Sequence, residues 1–230
     1  MKKRVLILSM IFVMAFTGCG AKNTEITKST EITSEKTTKN KNYKSAEDIT
    51  LDDLYAHGEN PASDFDYLNR DTDKDIVINS YIGDDPIVVV PNEIDGKKVV
   101  DCAKAFANNK TIVAVKLNDN ITEMTNFGFI NCENLKYIVT GKSMKTIKGG
   151  FIINTNMQEL ILNDGLETFG DEPIDCVSGK ENLKVKIPES VTTLGAVGVT
   201  LQVKKGSKAE EIVKQQIADG WETVHYETYD

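Results

Sequence analysis

The chain is poor in the residue types from which metal and catalytic sites are built. It has only two histidines, His57 and His225, and neither has a partner at the spacing of metal ligands. The four cysteines form no Cys-x-x-Cys motif, and no glycine-rich phosphate loop follows a strand pattern. The sequence also shows no recognisable pair of a nucleophile and its base. These absences argue against an enzyme and indicate no cofactor.

The chain also lacks an apolar run that is long enough for a stable membrane span. Its longest, residues 5–16, would rise only about 18 Å as a helix, whereas the hydrocarbon core of a bilayer is about 30 Å thick. Three basic residues, Lys2, Lys3 and Arg4, precede this run. A basic start followed by a short apolar segment is typical of a secretory signal.

The residues that end this segment, Phe16-Thr17-Gly18-Cys19, resemble the lipobox of bacterial lipoproteins. In that family a signal peptidase cuts before a cysteine that carries a diacylglycerol; Phe16 stands where Leu is usual. The resemblance implies that residues 1–18 are a removed signal peptide and that Cys19 is the lipid attachment site. It also implies an anchor on the extracytoplasmic face of the cell membrane. An ordinary secretory signal with an unmodified Cys19 is the alternative.

Basic residues are in deficit over the rest of the chain. Residues 48–230 hold 18 basic and 31 acidic residues, and residues 48–85 alone account for nine of the 13 excess negative charges. A protein that binds nucleic acid needs a basic surface, so no nucleic-acid partner is expected.

The acidic stretch contains one pattern that suggests a metal. Asp71, Asp73 and Asp75 are spaced like the start of a calcium loop. An EF-hand loop also needs Gly at its sixth place and Glu at its twelfth, and Ile76 and Ile82 stand there. We therefore assign no metal site. A looser calcium site remains open beside the simpler interpretation of a solvated acidic turn, and its further candidate ligands are Asp64, Asp66, Asp84 and Asp85.

Local signals divide the chain into segments. Residues 19–47 contain a near-duplicated, threonine-rich hexapeptide and almost no large apolar residue, which predicts a disordered tether behind the lipid. Residues 48–75 form an acidic lead-in, in which a capping box at Thr50 predicts a short helix to about His57. Residues 76–204 carry repeated strand and turn signals, and residues 205–230 form a cap. A helix is expected over 207–219, with Trp221 and Val224 packed beside it.

The middle of the chain repeats itself at about 22 residues. Apolar residues recur at offsets 0, +3 and +5, and the first members of the triplets are 23 and then 22 residues apart. The triplets are Ile112, Val115 and Leu117; Leu135, Ile138 and Thr140; and Met157, Leu160 and Leu162. Phe106, Phe129 and Phe151 lie three residues before Asn109, Cys132 and Asn154. One such unit cannot bury its own apolar face, whereas stacked units can. The period therefore predicts an α/β repeat solenoid, rich in strand and poor in helix, with one parallel strand per turn and Cys102 and Cys132 buried as small apolar residues.

Several motifs, in their order and spacing, resemble the BspA-like leucine-rich repeat family of bacterial surface proteins. They are residues 78–83, Val88-Val89-Val90-Pro91, Ile94-Asp95-Gly96-Lys97, residues 129–135, residues 187–195 and Lys205-Gly206-Ser207-Lys208-Ala209-Glu210. The resemblance covers about residues 64–218. It implies a monomeric, non-catalytic interaction module of the cell surface, of the adhesion type, with an unknown protein or glycan ligand. The expected interaction face is the exposed side of the strands, with Lys116, Lys136, Glu159 and Lys184. A solute-binding lipoprotein and a purely structural envelope protein are the alternatives.

Overall fold

The computed structural model describes residues 45–70, 74–124, 127–175, 177 and 182–230. All of these belong to one unit, Asn40–Asp230. Several predictions fall outside the described residues: the signal peptide, Cys19, most of the tether, Asp71, Asp73 and Cys176.

The lead-in contains the short helix that the capping box predicts. A 3-10 helix, Ala46–Asp48, precedes helix α1, Leu51–Ala56, and a second 3-10 helix, Ala62–Asp64, follows. The Thr50 hydroxyl accepts a hydrogen bond from the backbone N–H of Asp53, while the Asp53 carboxylate accepts one from the Thr50 N–H. This reciprocal cap fixes where α1 begins.

Five strands follow, and four of them close the N-terminal end of the fold. They are β1 (Phe65–Asn69), β2 (Asp75–Tyr81), β3 (Ile87–Val89), β4 (Glu93–Ile94) and β5 (Lys97–Asp101). The first sheet has the order β1-β2-β5-β4 and is mixed, because β2 and β5 run parallel while the outer pairs run antiparallel. Asp95 and Gly96, both with positive φ, turn the chain between β4 and β5.

Three parallel sheets follow, and each of the three middle turns of the chain contributes one strand to each sheet. The front sheet contains β3, β6 (Ala114–Lys116), β9 (Tyr137–Val139) and β12 (Glu159–Ile161). The second contains β7 (Glu123–Met124), β10 (Thr146–Ile147), β13 (Thr168–Phe169) and β16 (Thr193–Leu194). The third contains β8 (Phe129–Ile130), β11 (Ile152–Ile153) and β14 (Ile174–Asp175). The predicted solenoid with its period of about 22 residues is confirmed.

Equivalent side chains from successive turns form the core. The middle residue of each front strand points inward and is buried, as Val88, Val115, Ile138 and Leu160 show. Phenylalanines stack along another side of the core. The ring centroids of Phe106 and Phe129 lie 5.1 Å apart in nearly parallel planes, and Phe151 meets Phe129 edge-on at 5.3 Å. Neighbouring turns thus supply the apolar contacts that a single turn lacks.

The predicted alignment of Asn154 with Cys132 is wrong. The structure stacks Asn154 on Asn131 and Asn108, which share a left-handed backbone conformation, with φ between 53° and 61°. The amide nitrogen of each donates to the amide oxygen of the previous one, at 2.8 and 2.9 Å. Asparagine tolerates this conformation better than most residues, so the left-handed corner sets the register. Phe129 consequently pairs with Ile152, one residue beyond Phe151.

The C-terminal end is closed by a helix and a three-stranded sheet. Strands β15 (Lys184–Lys186), β17 (Thr200–Lys204) and β18 (His225–Tyr229) are parallel, and helix α2, Lys208–Ala218, is capped by Ser207. The expected helix is confirmed, whereas β18 was not predicted. Val224 is buried as expected, but Trp221 is 44% exposed, because it follows the helix-ending Gly220 on the solvent side.

None of the helices within the described ranges is both long and apolar enough to span a membrane.

Candidate interaction surface

The N-terminal lead-in covers half of the front sheet. We call residues 45–61 the strap. Ile49 and Leu54 of the strap are buried against the outward-facing side chains of the first front strands, among them Ile87 and Ala114. These contacts form a second apolar cluster, separate from the core inside the solenoid. The members of this cluster are Ile49, Leu54, Ile87, Val89, Val113, Ala114 and Val139. The outer face of the sheet is therefore divided into a covered and an open half.

Polar contacts hold the C-terminal end of the strap. Asn60 exchanges two hydrogen bonds with Val89 on the edge of β3. The imidazole of His57 lies between two oxygens, with Nε2 at 3.2 Å from a carboxylate oxygen of Asp85 and Nδ1 at 2.6 Å from the carbonyl of Gly58. The hydrogen bond with Asp85 raises the pKa of His57 above its ordinary value of 6.5, since only the protonated ring donates to both oxygens.

The four residues expected on one exposed face occupy three different positions. Glu159 and Lys184 begin their strands and are exposed, while Lys116 ends β6 and is half-buried beside the strap. The expectation that Lys136 projects into solvent is wrong. Lys136 precedes β9 and is only 7% exposed, because the strap lies over it and the carbonyl of Ala46 accepts a hydrogen bond from its ammonium at 3.1 Å.

The open half of the face continues beyond β12 onto the C-terminal sheet, because β15 lies beside β12. This sheet carries an ordered set of charged and aromatic side chains. Lys184 binds the Glu227 carboxylate at 2.8 Å, and the amide of Gln202 donates to the same group at 2.6 Å. These contacts hold the pKa of Glu227 below its ordinary value, Lys184 being the main cause. The ammonium of Lys186 lies 4.4 Å from the ring centroid of Tyr229, within the range of a cation–π contact.

Sequence reasoning missed four of these residues, Lys186, Gln202, Glu227 and Tyr229. β18 places Glu227 and Tyr229 beside the repeat, since β17 lies between β18 and β15. The β-branched and aromatic residues Val224, Tyr226, Thr228 and Tyr229 are the local signal that could have indicated a strand.

A groove lies between the N-terminal end of the strap and the neighbouring residues of the repeats. Its volume is about 580 Å³. It is lined by Ser45, Ala46, Glu47, Ile49 and Thr50 from the strap, and by Asn134, Lys136, Tyr137, Asn156 and Gln158 from the repeats. The lining combines amides, hydroxyls, one aromatic ring, one nearly buried ammonium and the carboxylate of Glu47. It can therefore offer hydrogen bonds and one positive charge to a small polar ligand.

The described part of the chain brings no metal-binding cluster together. None of its groups of histidine, cysteine, aspartate or glutamate could hold a metal ion with three ligands. Of the three aspartates that suggested a calcium loop, Asp71, Asp73 and Asp75, only Asp75 is described, and it begins β2. The carboxylate of Asp85 forms hydrogen bonds with His57 and with the backbone N–H of Ile87.

The two described cysteines are buried free thiols, as expected. Burial raises the pKa of Cys132 to about 11 and raises that of Cys102 as well. The thiol of Cys132 donates to the carbonyl of Phe106 at 2.9 Å, a contact between turns. A thiol with so high a pKa is a poor nucleophile near neutral pH, so Cys132 has a structural role.

The repeat region matches a family model. The BspA type Leucine rich repeat region matches residues 102–197 in six copies. This region belongs to the BspA-type leucine-rich repeat family. The BspA-type repeats of this chain span the three sheets of the solenoid, from Cys102, just after β5, to the turn after β16.

Two crystal structures resemble the BspA-type solenoid described above. A leucine-rich repeat protein from Bacteroides ovatus is 20% identical, with a TM-score of 0.50, over 61% of this chain and 39% of that one. This chain thus spans about two fifths of that protein's length, and the likeness shows the fold alone. A T. pallidum leucine-rich repeat protein is 19% identical, with a TM-score of 0.49, over 74% of this chain and 98% of that one. No curated protein matches the sequence.

Proposed function

We propose that this chain is a membrane-anchored, cell-surface BspA-type protein that acts as a non-catalytic interaction module. It contacts a protein or glycan through the open half of its front face. The observation that carries the proposal is the ordered surface formed by Lys184, Lys186, Gln202, Glu227 and Tyr229. These side chains stand on paired strands and bind one another, so a partner would meet a preorganised surface.

The chemistry of this surface suits recognition. Both charge signs occur side by side, and Tyr229 adds a large aromatic side chain. Complementary charges steer a partner and select its orientation, while aromatic side chains contribute much of the affinity at interfaces. A solenoid presents such a face over several turns without a deep pocket.

The anchor is the second part of the proposal. Cys19 would carry the lipid, and the tether would hold the repeats away from the outer face of the membrane. Mass spectrometry of the membrane fraction tests this, with Cys19→Ser as the control. We expect a mature chain that begins with a lipid-modified Cys19 and a Cys19→Ser chain that leaves the membrane. An unmodified Cys19 in the membrane fraction would contradict the anchor.

Site-specific crosslinking on intact cells tests the interaction face. A photo-crosslinking amino acid at position 186 lies on the open half of the front face, and one at position 145 lies on the second sheet as the matched control. We expect a defined adduct from position 186 that Lys184→Glu abolishes, and none from position 145. Equal adducts from both positions would rule out the proposed face. A purely structural envelope role predicts adducts that do not depend on Lys184.

A further inference from the structure

We propose that the groove between the strap and the front sheet binds a carbohydrate that carries a carboxylate, with the acid group held by Lys136. The inference rests on the proposed function in that it names a ligand class for the same outer surface. It concerns a different part of that surface, however, and it can be tested without the anchor.

Backbone pairing places Lys136 at the edge of the strap. Its N–H donates to the carbonyl of Val113, and its carbonyl accepts from the N–H of Gln158. The three residues therefore form one row across successive turns. Val113 lies beneath the strap in the second apolar cluster, while Gln158 lies exposed beyond it. Along this row the side chain changes from apolar at Val113 to cationic at Lys136 and to an amide at Gln158, where the groove opens.

The ammonium of Lys136 lacks a counter-ion in this position. Lys136 is only 7% exposed, and within the described ranges its one hydrogen bond is donated to the carbonyl of Ala46. No carboxylate of the described residues forms an ion pair with it. Buried charges in proteins are usually paired, because an unpaired one loses hydration without compensation. A carboxylate in the groove would supply the missing negative charge and accept hydrogen bonds from the remaining N–H groups of the ammonium.

The rest of the lining matches the hydroxyl-rich body of a sugar. Amides at Asn134, Asn156 and Gln158 provide donors and acceptors, and Ser45 and Thr50 add hydroxyls. The phenol of Tyr137 donates to the side-chain oxygen of Gln158 at 3.0 Å, which positions both groups. The ring of Tyr137 is an apolar platform of the kind on which one face of a sugar packs.

The groove favours a ligand with a single carboxylate over a polyanion, and a sugar over a peptide. Glu47 also lines it, so a densely charged polyanion would be repelled. A peptide would need an apolar pocket for an anchoring side chain. The only aliphatic lining residues are Ala46 and Ile49, and Ile49 is already buried in the second apolar cluster. The volume of about 580 Å³ lies in the range of small-ligand sites.

Calorimetric titration of the full chain tests the proposal. The probes are glucuronate, galacturonate and N-acetylneuraminate, each beside a neutral counterpart in which the carboxylate is replaced by an amide or a hydroxymethyl group. We expect at least one acid to bind roughly tenfold more tightly than its neutral counterpart, a gain that corresponds to one charge-assisted contact. Raising the salt concentration should reduce this preference.

Matched variants locate the site. Lys136→Met removes the ammonium but keeps an unbranched side chain of nearly the same length, and it should bring the affinities for the acid and its neutral counterpart to within about twofold of each other. Lys142→Met, at an exposed position outside both the groove and the open half, should leave the preference intact. If Lys136→Met lowers the melting temperature, Gln158→Ala at an exposed position replaces it. That variant should weaken the binding of acid and neutral sugar equally, since it removes an amide that contacts a sugar hydroxyl and leaves the ammonium of Lys136 in place.

Four results would overturn the inference. The first is that no acid binds better than its neutral counterpart, and the second is a preference that is unchanged in Lys136→Met. The third is an effect of Lys142→Met as large as that of Lys136→Met. The fourth is an acidic peptide such as Gly-Glu-Gly that binds more tightly than every acidic sugar. None of these results depends on the adducts from position 186. Those adducts would still appear if the groove hypothesis alone failed.

Discussion

Asn60 pairs with Val89 as a neighbouring strand would. Its side-chain oxygen accepts from the Val89 N–H at 2.7 Å, and its own N–H donates to the Val89 carbonyl at 3.0 Å. β3 would otherwise present a free edge to another chain. At the other end of the molecule, Gln216 of α2 donates to the carbonyl of Leu194 on β16 at 3.1 Å. One amide side chain thus helps to cap a sheet at each end.

Removal of the Asn60 cap should destabilise the fold. Asn60→Ala leaves the buried N–H of Val89 without an acceptor, which we expect to lower the free energy of unfolding by about 1–3 kcal/mol. Urea denaturation measures this, with Asn79→Ala at an exposed position of β2 as the control. A loss no larger than that of Asn79→Ala would show that water replaces the cap.

Gly141 is required by the close stacking of turns. A Cβ added there would lie 1.8 Å from the carbonyl oxygen of Asn118, whereas one added at Gly198 meets nothing within 4 Å. Gly141→Ala should therefore cost at least about 2 kcal/mol of stability, because the backbones of two turns must separate. Gly198→Ala is the matched control and should change the melting temperature little. Similar melting temperatures for the two variants would contradict this account.

The strap should open independently of the solenoid. Leu54 is fully buried in the second apolar cluster, and its neighbour Tyr55 is 51% exposed. Leu54→Ala should weaken docking of the strap by about 2–5 kcal/mol, the usual cost of such a truncation. We expect faster hydrogen exchange in residues 45–61 and unchanged exchange in β10 and β13, with Tyr55→Ala as the control. Uniformly faster exchange across the chain would show that strap and solenoid unfold together.

Stability of the strap should depend on pH through His57. Its pKa in the folded protein is raised above 6.5 by Asp85, so its contribution is fully present below about pH 6.5 and is lost as the pH rises through the folded-state value. The difference in melting temperature between the unmodified chain and His57→Gln should therefore shrink as the pH rises from about 6.5 through the raised pKa of the folded state. Asp85→Asn should remove most of this dependence. A difference that grows with pH would reverse the assigned sign.

Much of the fold was predictable because its signals are local and repeated. The spacing of Val115, Ile138 and Leu160 indicated the ladders, since each turn places the same position in the same environment. The capping box at Thr50 and the helical pattern before Gly220 act within a few residues of chain. The register of Asn154 was missed, because a one-residue change in spacing leaves the apolar pattern almost unaltered.

The sequence by itself determined the repeat, its period, the BspA-type character of the solenoid and the burial of Cys102 and Cys132, since each of these depends on patterns that recur along the chain. Only the tertiary structure decided which part of the front face is open. The strap reaches Lys136 from Ala46, 90 residues earlier, and β18 joins the sheet only after α2 has crossed the end of the solenoid. Such contacts depend on which apolar surfaces meet in space. The residues around Ile49 and Leu54 in the sequence do not indicate which strands these two side chains contact.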